Sequence, residues 1–208
     1  MRVITANQGT EEWKQARVGV PSGSKFSNIM AKGSGATRAT YLTELALERI
    51  TNVREEFKTT FAMEQGTERE PLARLAYEAN TGQLVTEIGF CMHDIFRVGV
   101  SPDGLVGLNG MCEYKCPTPK THLEYLRLEP NKCPPAYRWQ VQGQLWVSDR
   151  EWCDFVSYNP DFPENAQLII RRVVRDKKAI NELEIEIIKF LEDIEREVKF
   201  IKSYKDAA

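Results

Sequence analysis

The spacing of apolar residues changes twice along the chain, from helical to alternating and back to helical. In the first third, apolar positions recur every three or four residues, which is typical of amphipathic helices. We predict helices over 13–20, from a cap at Ser22-Gly-Ser24 to about Ala31, over 37–50 and over 61–79. Lys32-Gly-Ser-Gly-Ala indicates a flexible loop, Pro71 is expected to interrupt the fourth helix, and Asn80-Thr-Gly82 to end it.

Alternating apolar residues then predict strands. We expect them over 84–90 and 95–100 around a turn at His93-Asp94, and over 105–108 and 111–116 around Asn109-Gly110. Asn-Gly between apolar runs is a strong hairpin signal. Helices over 118–128 and 134–147, strands over 151–158 and 168–174, and one long amphipathic helix over 176–203 follow. This order predicts an α/β domain with a mixed central sheet.

Composition narrows the class of protein. With 208 residues and 42% hydrophobic content, the chain can form one sizeable core, so we predict a single domain over 1–208. Its apolar runs are shorter than the roughly 20 residues of a membrane helix, and no apolar signal region begins the sequence. We therefore expect a soluble, intracellular protein without a membrane partner. Five scattered cysteines and two histidines predict neither disulfides nor a zinc cluster.

The net charge does not attract nucleic acid to the whole molecule. It is −2, and the sequence pI is near 5.9, so any DNA-binding surface must concentrate positive charge locally. The candidates are Lys14 with Arg17, Lys25 with Lys32 and Arg38, and the cluster Arg171, Arg172, Arg175, Lys177 and Lys178. The alternative is that each cluster is a solvated face.

The strongest candidate chemistry lies in Ser101-Pro-Asp-Gly and in Met111-Cys-Glu-Tyr-Lys-Cys. Alternation along a strand puts Glu113 and Lys115 on one face, toward a cleft, and the apolar residues on the other, toward a core. Asp103 lies in a Pro-Asp-Gly turn that can return the chain beside Glu113. Two carboxylates suit Mg²⁺ or Mn²⁺, and a lysine can orient or deprotonate an attacking water. The alternative is a solvated strand edge.

Two further groups could join this site. If a helix runs through Pro71, Glu70 can supply a third carboxylate to the metal; the alternative is a surface ion pair with Arg69 or Arg74. Gln140 and Gln144 share one face of the helix after the strand. They could reach the same cleft, or they could hydrogen-bond at an interface.

Other chemistries lack their motifs. The segment Gly33-Ser-Gly-Ala-Thr-Arg38 follows a predicted helix and lacks the Lys-Ser/Thr of a P-loop, so we expect no nucleotide cofactor. A serine or cysteine nucleophile would need a histidine base, and neither His93 nor His122 lies in a recognisable arrangement. Cys116, beside Lys115, is interpreted as a packed strand cysteine rather than an activated thiol.

The motifs together resemble a known family. Ser101-Pro-Asp-Gly with Cys112-Glu-Tyr-Lys-Cys-Pro is similar to the active-site segment of the lambda-type phage exonucleases, the YqaJ-like viral recombinases of the PD-(D/E)xK superfamily. Three other blocks are similar in the same order. They are Gln8-Gly with Trp13, Arg17-Val-Gly-Val and Ser24, then Gly66-Thr-Glu-Arg-Glu70, and then Gln140-Val-Gln with Leu-Trp-Val147. The resemblance covers roughly residues 8–160.

The resemblance implies a restriction-endonuclease-like fold and an ATP-independent 5′→3′ exonuclease that acts on double-stranded DNA ends. Such an enzyme releases mononucleotides and leaves 3′ overhangs for single-strand annealing. Asp103, Glu113, the main-chain carbonyl of Tyr114 and Glu70 would hold two Mg²⁺ or Mn²⁺ ions. Lys115 would hold or activate the attacking water, and Gln140 would help to position it.

The resemblance also implies a binding pocket and partners. Arg17, Ser24 and Ser101 match positions that bind the 5′-terminal phosphate, and Lys120 is a candidate DNA contact. A homotrimer, a single-strand annealing recombinase as partner, and a phage or prophage protein in the bacterial cytoplasm are implied as well. An endonuclease of restriction or structure-specific type, with the same metal chemistry, is the alternative. A non-catalytic DNA-binding protein would have no need of a carboxylate pair that repels phosphate.

Overall fold

The helices of the computed structural model match most of the helical periods in the sequence. The structure describes residues 1–6, 8–31, 36–54 and 61–205. Its helices are α1 (Glu11–Ala16), α2 (Phe26–Ile29), α3 (Ala36–Thr51), α4 (Phe61–Thr81), α5 (Pro119–Leu126), α6 (Arg138–Ser148) and α7 (Lys177–Ser203). Short 3₁₀ turns lie at Gly23–Lys25, Pro135–Tyr137 and Glu164–Ala166.

Two sheets form the centre of the molecule. The strands are β1 (Arg2–Ile4), β2 (Val85–Thr86), β3 (Phe90–Met92), β4 (Gly99–Val100), β5 (Gly104–Val106), β6 (Gly110–Lys115), β7 (Trp152–Tyr158) and β8 (Leu168–Val174). The larger sheet has the order β2-β5-β6-β7-β8 and is mixed, because β6 and β7 are parallel while its other pairs are antiparallel. The smaller sheet, β1-β3-β4, is antiparallel.

Helices cover both faces of the larger sheet. The face with Cys112 and Tyr114 packs with Tyr77 of α4. The opposite face, with Met111 and Phe155, packs with residues of α6 and α5. A connection that contains both α5 and α6 separates the parallel strands β6 and β7, as parallel pairing requires. The catalytic candidates in β6 therefore lie between two helical layers.

The amphipathic helix α7 closes the molecule. Asp176 caps it by accepting hydrogen bonds from the main-chain N–H groups of Lys178 and Ala179. Its buried stripe includes Leu183, Phe190 and Ile194, and Phe190 stacks on Tyr41 of α3 at 5.5 Å between ring centroids. Across the described ranges, no helix combines the length and the apolar character needed to cross a membrane.

The structure corrects the sequence-based interpretation at four places. The predicted strand over 84–90 is split between the two sheets, since β2 pairs with β5 and β3 pairs with β1 and β4. β1 was not predicted, and α4 runs through Pro71 without interruption. Burial of Ala73 and Tyr77 against the sheet holds α4 together after the proline. Of the predicted loop over 32–36, residues 32–35 lie outside the described part, and Ala36 already belongs to α3.

Gly99 allows the neighbouring strands β3 and β4 of the smaller sheet to pack closely. A Cβ at this position would lie 2.3 Å from Cζ of Phe90 and 2.9 Å from the carbonyl oxygen of Cys91. Ser22 also bridges to Gly99 as a parallel neighbour. The segment that leads to Ser101 and Asp103 is thereby held against the smaller sheet and the N-terminal block.

Candidate active site

The β5–β6 hairpin brings the two predicted carboxylates together. Gly104 pairs with Cys112, so Asp103 lies just beyond the paired end of β5 and beside the continuing strand β6. Its Oδ2 accepts a hydrogen bond of 2.6 Å from the main-chain N–H of Tyr114. The predicted hairpin thus positions Asp103 next to Glu113. Its turn lies over residues 107–109, with Gly107 at a φ of 54°. The prediction of a turn at Asn109-Gly110 is wrong, because Gly110 already pairs with Val106.

Glu113 is buried under α6. It is 2% exposed, and both carboxylate oxygens accept hydrogen bonds. Lys115 Nζ and Gln140 Nε2 each lie 2.5 Å from Oε1, and Gln144 Nε2 lies 2.6 Å from Oε2. This face of β6 is therefore covered by α6, and the alternative of a solvated strand edge is wrong for Glu113. Amide donors from α6 offset part of the cost of burying its charge.

Lys115 is the cation of the site. Burial lowers the pKa of its ammonium group, but the neighbouring Glu113 and Asp103 outweigh that effect and raise it above its usual value. The Nζ atom also lies 5.2 Å from the ring centroid of Tyr137. Lys115 is consequently held in its charged form. Its ammonium group is fixed between the carboxylate of Glu113 and the ring of Tyr137.

The carbonyl group of Tyr114 is directed to the same edge as Asp103. In a strand, the N–H and C=O of one residue point to the same neighbouring strand. The N–H of Tyr114 is bonded to Asp103 beyond the last paired residue of β5. Its carbonyl oxygen therefore faces the cleft edge, where it can act as a neutral oxygen ligand.

Glu70 approaches the site from α4. Burial raises the pKa of its carboxyl group, with Lys115 lowering it and Glu113 raising it further, so the three side chains lie within electrostatic range. The alternative of an ion pair with Arg69 or Arg74 is wrong. Arg69 pairs with Asp161 at 3.2 Å, and Arg74 pairs with Glu78 and Glu87. Glu70 lines the same cleft as Asp103 and Tyr114.

The donor set fits a hard divalent cation. Burial, and next the charge of Glu113, raise the pKa of Asp103 well above its usual range, so the site has excess negative charge that a cation would relieve. Oxygen atoms of Asp103, Glu113, Glu70 and Tyr114 are the ligands that Mg²⁺ prefers. Within the residues that the structure describes, no three acidic, cysteine or histidine side chains already form a metal cluster. Water and substrate oxygens would complete the coordination.

A cleft leads to these residues. It has a volume of about 960 Å³ and lies between α4, the smaller sheet and the end of the β5–β6 hairpin. Glu70, Asp103 and Tyr114 are on its wall, together with Arg74 and Gln8. The cleft is large enough for a phosphate-containing ligand. The carboxylates of Glu70 and Asp103 on its wall would place a bound cation next to the phosphate.

Arg17 lies at the end of α1 with unused hydrogen-bonding capacity. Its guanidinium group stacks on Trp13 at 3.9 Å from the ring centroid, and its Nε is buried without a partner among the described residues. Burial, and next the charge of Arg54, lower its pKa to about 10. Arg54 is paired with Glu48 at 3.9 Å. The buried Nε of Arg17, which has no partner in the described structure, is therefore the position that favours the binding of an anion.

The serines of the predicted phosphate pocket occupy different environments. Ser101 Oγ is buried and has no partner in the described structure, whereas Ser24 is exposed in a 3₁₀ turn. Ser22, two residues earlier, is 2% exposed, with an unpartnered Oγ and an N–H that donates to Tyr41 at 3.0 Å. Tyr41 also interacts electrostatically with Arg17. Arg17 and Ser22 therefore lie in one region, and Ser22 bridges to Gly99, two residues before Ser101.

Two residues of this region were missed by sequence reasoning. Arg54 donates to the carbonyl of Arg17 at 3.0 Å, and Ser22 was interpreted only as part of a helix cap. Arg54 has no local signal, because it lies 37 positions from Arg17 and meets it only through packing of α3. The segment Ser22-Gly-Ser24 did contain a signal for a buried hydroxyl, because either of its two serines could point toward the interior.

The other basic candidates divide into exposed and structurally paired groups. Lys120 is exposed in the first turn of α5. Arg38 pairs with Asp193 at 2.8 Å, and Arg172 makes two hydrogen bonds to the buried Asp154 at 2.9 and 2.8 Å. Arg175 donates to Asp149 and to main-chain carbonyls. For these three arginines the structure supports a role in packing, while Lys120 stays available for a ligand.

Comparison with known proteins agrees with this geometry. The model of the YqaJ-like viral recombinase domain matches residues 12–151. The alkaline exonuclease LHK-Exo from Laribacter hongkongensis is 40% identical, with a TM-score of 0.86 over 93% of this chain and 96% of that chain. The structure of LHK-Exo in complex with dAMP has the same identity and coverage and a TM-score of 0.87. A search of curated proteins gives no significant match.

A more distant structure shares the fold. The phage-related exonuclease from Haemophilus somnus 129PT is 12% identical, with a TM-score of 0.69 over 88% of this chain and 96% of that chain. The prediction of a restriction-endonuclease-like α/β fold, with a mixed sheet and a long C-terminal helix, is confirmed. The chain belongs to the YqaJ-like viral recombinase family.

Proposed function

We propose that this protein is a Mg²⁺-dependent, ATP-independent exonuclease that degrades the 5′ strand from the ends of double-stranded DNA. Its family indicates a nuclease that acts in recombination. Metal dependence, strand polarity and mononucleotide products with 3′ overhangs are the parts that we add. The observation that carries the proposal is that Asp103 lies within electrostatic range of the bonded pair Glu113 and Lys115 and lines the same cleft as Glu70.

The chain's own residues supply orientation and charge at the scissile phosphate. Asp103, Glu113, Glu70 and the Tyr114 carbonyl would hold up to two Mg²⁺ or Mn²⁺ ions, which stabilise negative charge on the reacting phosphodiester and lower the pKa of water. Lys115 stays protonated, so it can donate a hydrogen bond to the attacking water or to a phosphate oxygen. No nucleotide is needed, because hydrolysis of the phosphodiester is itself favourable.

The amide of Gln140 fixes the catalytic carboxylate. It donates to Glu113 Oε1, the same atom that Lys115 contacts. Two donors on one oxygen restrict the rotation of the carboxylate and leave Oε2, with its single donor, better able to bind a cation. Gln140 would thus act mainly by holding Glu113 and, from the cleft side, by directing water.

The region of Arg17 supports a preference for a 5′-terminal phosphate. A terminal phosphate is a dianion, and the guanidinium of Arg17 and the buried, unpartnered hydroxyls of Ser22 and Ser101 could donate to it. Arg54, which is paired with Glu48, adds a second positive charge next to Arg17. Ser101 lies two residues before Asp103, so a phosphate held there would place a neighbouring phosphodiester close to the carboxylates. Ser24 and Lys120, which are exposed, would contact the DNA strand farther from the buried pocket.

The proposal includes partners that act outside a single chain. Processive removal of nucleotides requires the enzyme to stay on its DNA between cycles, and a homotrimeric ring around the duplex would provide this without a fuel. The 3′ overhang would be passed to a single-strand annealing recombinase. A bacterial cytoplasm, with the gene carried by a phage or prophage, is the location in which these steps would occur.

One incubation tests the proposed reaction. Linear duplex labelled at either end is mixed with protein and Mg²⁺, without ATP, and the lost strand and product size are determined. We expect loss of the 5′ strand as mononucleotides and no reaction when EDTA replaces Mg²⁺. Loss of the 3′ strand would refute the polarity. Cleavage of a covalently closed circle would favour the alternative, a restriction-like or structure-specific endonuclease.

A further inference from the structure

Gln144 lies between two parts of the site that are far apart in the sequence. It is on α6, one turn after Gln140, and is 1% exposed. Its Nε2 donates to Glu113 Oε2 at 2.6 Å and lies 3.5 Å from the main-chain carbonyl oxygen of Ser101. One side-chain amide therefore touches both a catalytic carboxylate and the segment that carries Asp103.

The carboxylate of Glu113 fixes the orientation of this amide. If the amide were reversed, its oxygen would face a carboxylate oxygen at hydrogen-bonding distance, which is repulsive. Nε2 must therefore face Glu113, and Oε1 is directed elsewhere. Oε1 is fully buried and has no hydrogen-bond partner among the described residues. An unpaired buried acceptor is costly, so its retention calls for a functional explanation.

The surroundings of Gln144 belong to the proposed phosphate pocket. A Cβ on Gly23 would lie 3.7 Å from Gln144 Cγ, which shows that the backbone after Ser22 passes close to this side chain. Ser22 Oγ and Ser101 Oγ are also buried and unpartnered in the described structure. Three unsatisfied polar atoms thus occur where the N-terminal block, the Ser101 segment and α6 meet.

We propose that Gln144 is a positioning residue that couples the terminal-phosphate pocket to the Glu113 carboxylate. The inference rests on the proposed function. A phosphate that binds the hydroxyl of Ser101 fixes the Ser101–Asp103 segment, and the Ser101 carbonyl lies against the amide that orients Glu113. Occupancy of the pocket and the alignment of both carboxylates are then linked. The enzyme would react fastest when a 5′ phosphate is seated.

Gln142 offers a matched control on the same helix. It is 4% exposed, and both ends of its amide are bonded, with Nε2 donating to the carbonyl of Val174 at 3.0 Å and Oε1 accepting from the N–H of Asp176 at 2.8 Å. Its contacts lie away from Glu113 and Ser101. Replacing it removes as much buried hydrogen bonding as replacing Gln144, so a general loss of packing would affect both variants.

The test compares Gln144→Met with Gln142→Met. Mg²⁺ binding is measured by calorimetry without DNA, and single-turnover rates are measured on 5′-phosphorylated and 5′-hydroxyl duplexes. We expect Gln144→Met to weaken Mg²⁺ binding about tenfold, as loss of a partner of a metal ligand does. We also expect its preference for 5′-phosphorylated ends to fall several-fold. Gln142→Met should keep the wild-type values of both.

The outcomes separate this inference from the proposed function. Wild-type Mg²⁺ affinity and end preference in a folded Gln144→Met protein would overturn the coupling alone. If the wild-type protein binds no Mg²⁺ or ignores the 5′ phosphate, the proposed function fails first and the coupling with it. Should Gln144→Met not fold by circular dichroism, Gln144→Asn keeps an amide that is too short to reach both partners. It should show the same two losses, and wild-type values for it would overturn the inference.

Discussion

Lys115 Nζ lies 2.5 Å from Glu113 Oε1, and the two side chains project from the same face of β6, two residues apart. The pair is covered by α6, whose glutamine amides also bind Glu113. Lys115 therefore stabilises the buried Glu113 carboxylate and is also a candidate contact for the attacking water. Its two roles lead to the first prediction.

Replacing Lys115 by Gln should lower the rate of the chemical step far more than substrate binding. The amide can still donate to Glu113, but it carries no charge to stabilise the reacting phosphate. We expect kcat to fall by about 10² to 10⁴-fold, a typical range for loss of a catalytic proton donor or acceptor, with little change in KM. Steady-state rates on linear duplex measure this. A large rise in KM with unchanged kcat would contradict a role in chemistry.

Asp103→Asn should remove activity and stabilise the metal-free protein. The raised pKa of Asp103, caused by burial and by Glu113, means that its charged form is disfavoured in the folded state. Asn keeps an acceptor for the Tyr114 N–H and removes the repulsion. Thermal melts with and without Mg²⁺ should give a higher melting temperature without the ion and a smaller Mg²⁺-dependent increase than in the wild type. Unchanged cleavage of DNA would refute the site.

Arg17→Ala should reduce the preference for 5′-phosphorylated over 5′-hydroxyl ends by about tenfold, because it removes charge-assisted hydrogen bonds to the terminal phosphate. Rates on the two duplexes give the ratio directly. Arg97→Ala is a suitable control, since Arg97, which precedes β4, also contacts the N-terminal region and donates to the carbonyl of Val18 at 3.2 Å. An equal change in both variants would indicate a general charge effect.

Arg172→Ala should destabilise the protein without weakening DNA binding. Arg172 pairs with Asp154, which is 1% exposed and also accepts from Tyr77 at 2.8 Å. Removing one partner of a buried pair costs about 3 kcal/mol, and we expect about 2 kcal/mol because the arginine is half-exposed. Urea unfolding measures this change in the free energy of unfolding. As a control, replacing the exposed Lys178 by Ala should leave the free energy of unfolding almost unchanged. A weaker DNA affinity for Arg172→Ala would contradict the prediction and identify Arg172 as a DNA contact.

The stability of the protein should depend on His122 at mildly acidic pH. His122 is fully buried, its Nε2 donates to the carbonyl of Ala166 and its Nδ1 accepts from Ser157, both at 2.8 Å. Burial lowers its pKa below the usual 6.5. The unfolded chain therefore gains a proton first as the pH falls, and stability is lost below about pH 6.5. Unfolding free energies at pH 5.5 and 7.5 should differ less in His122→Gln than in the wild type.

The parts of the fold that could be predicted from the sequence are those encoded by residues close together in the chain. Asp103 and Glu113 are joined by a short hairpin that the alternating apolar residues indicate, although its turn lies over 107–109 rather than at Asn109-Gly110. The helix α7 has a strong helical period over 27 residues. By contrast, the division of residues 85–92 between two sheets depends on pairing with β1, β4 and β5. Pairing partners distant in the chain leave no local pattern, so that division and β1 itself were not predicted.

The same distinction applies to the candidate site. The amide of Gln144 could have belonged to any helix interface until packing put it on Glu113. Ser22 and Ser24 have equal chemistry in the sequence, and only the backbone turn at Gly23 decides which one is buried. Arg54 gains its position from the contact of α3 with the N-terminal block. Roles that arise from tertiary contacts cannot be assigned from residue type and spacing alone.

Gly99 gives the site a weakness that lies outside it. No atom of this residue has a proposed role with DNA or metal, yet any side chain there would collide with the ring of Phe90 and the backbone of Cys91. Relief of that collision would move the strand that leads into Ser101 and Asp103. Nearly every substitution at position 99 should therefore impair the protein. A mutational survey that scored only loss of activity would identify this glycine as if it were catalytic.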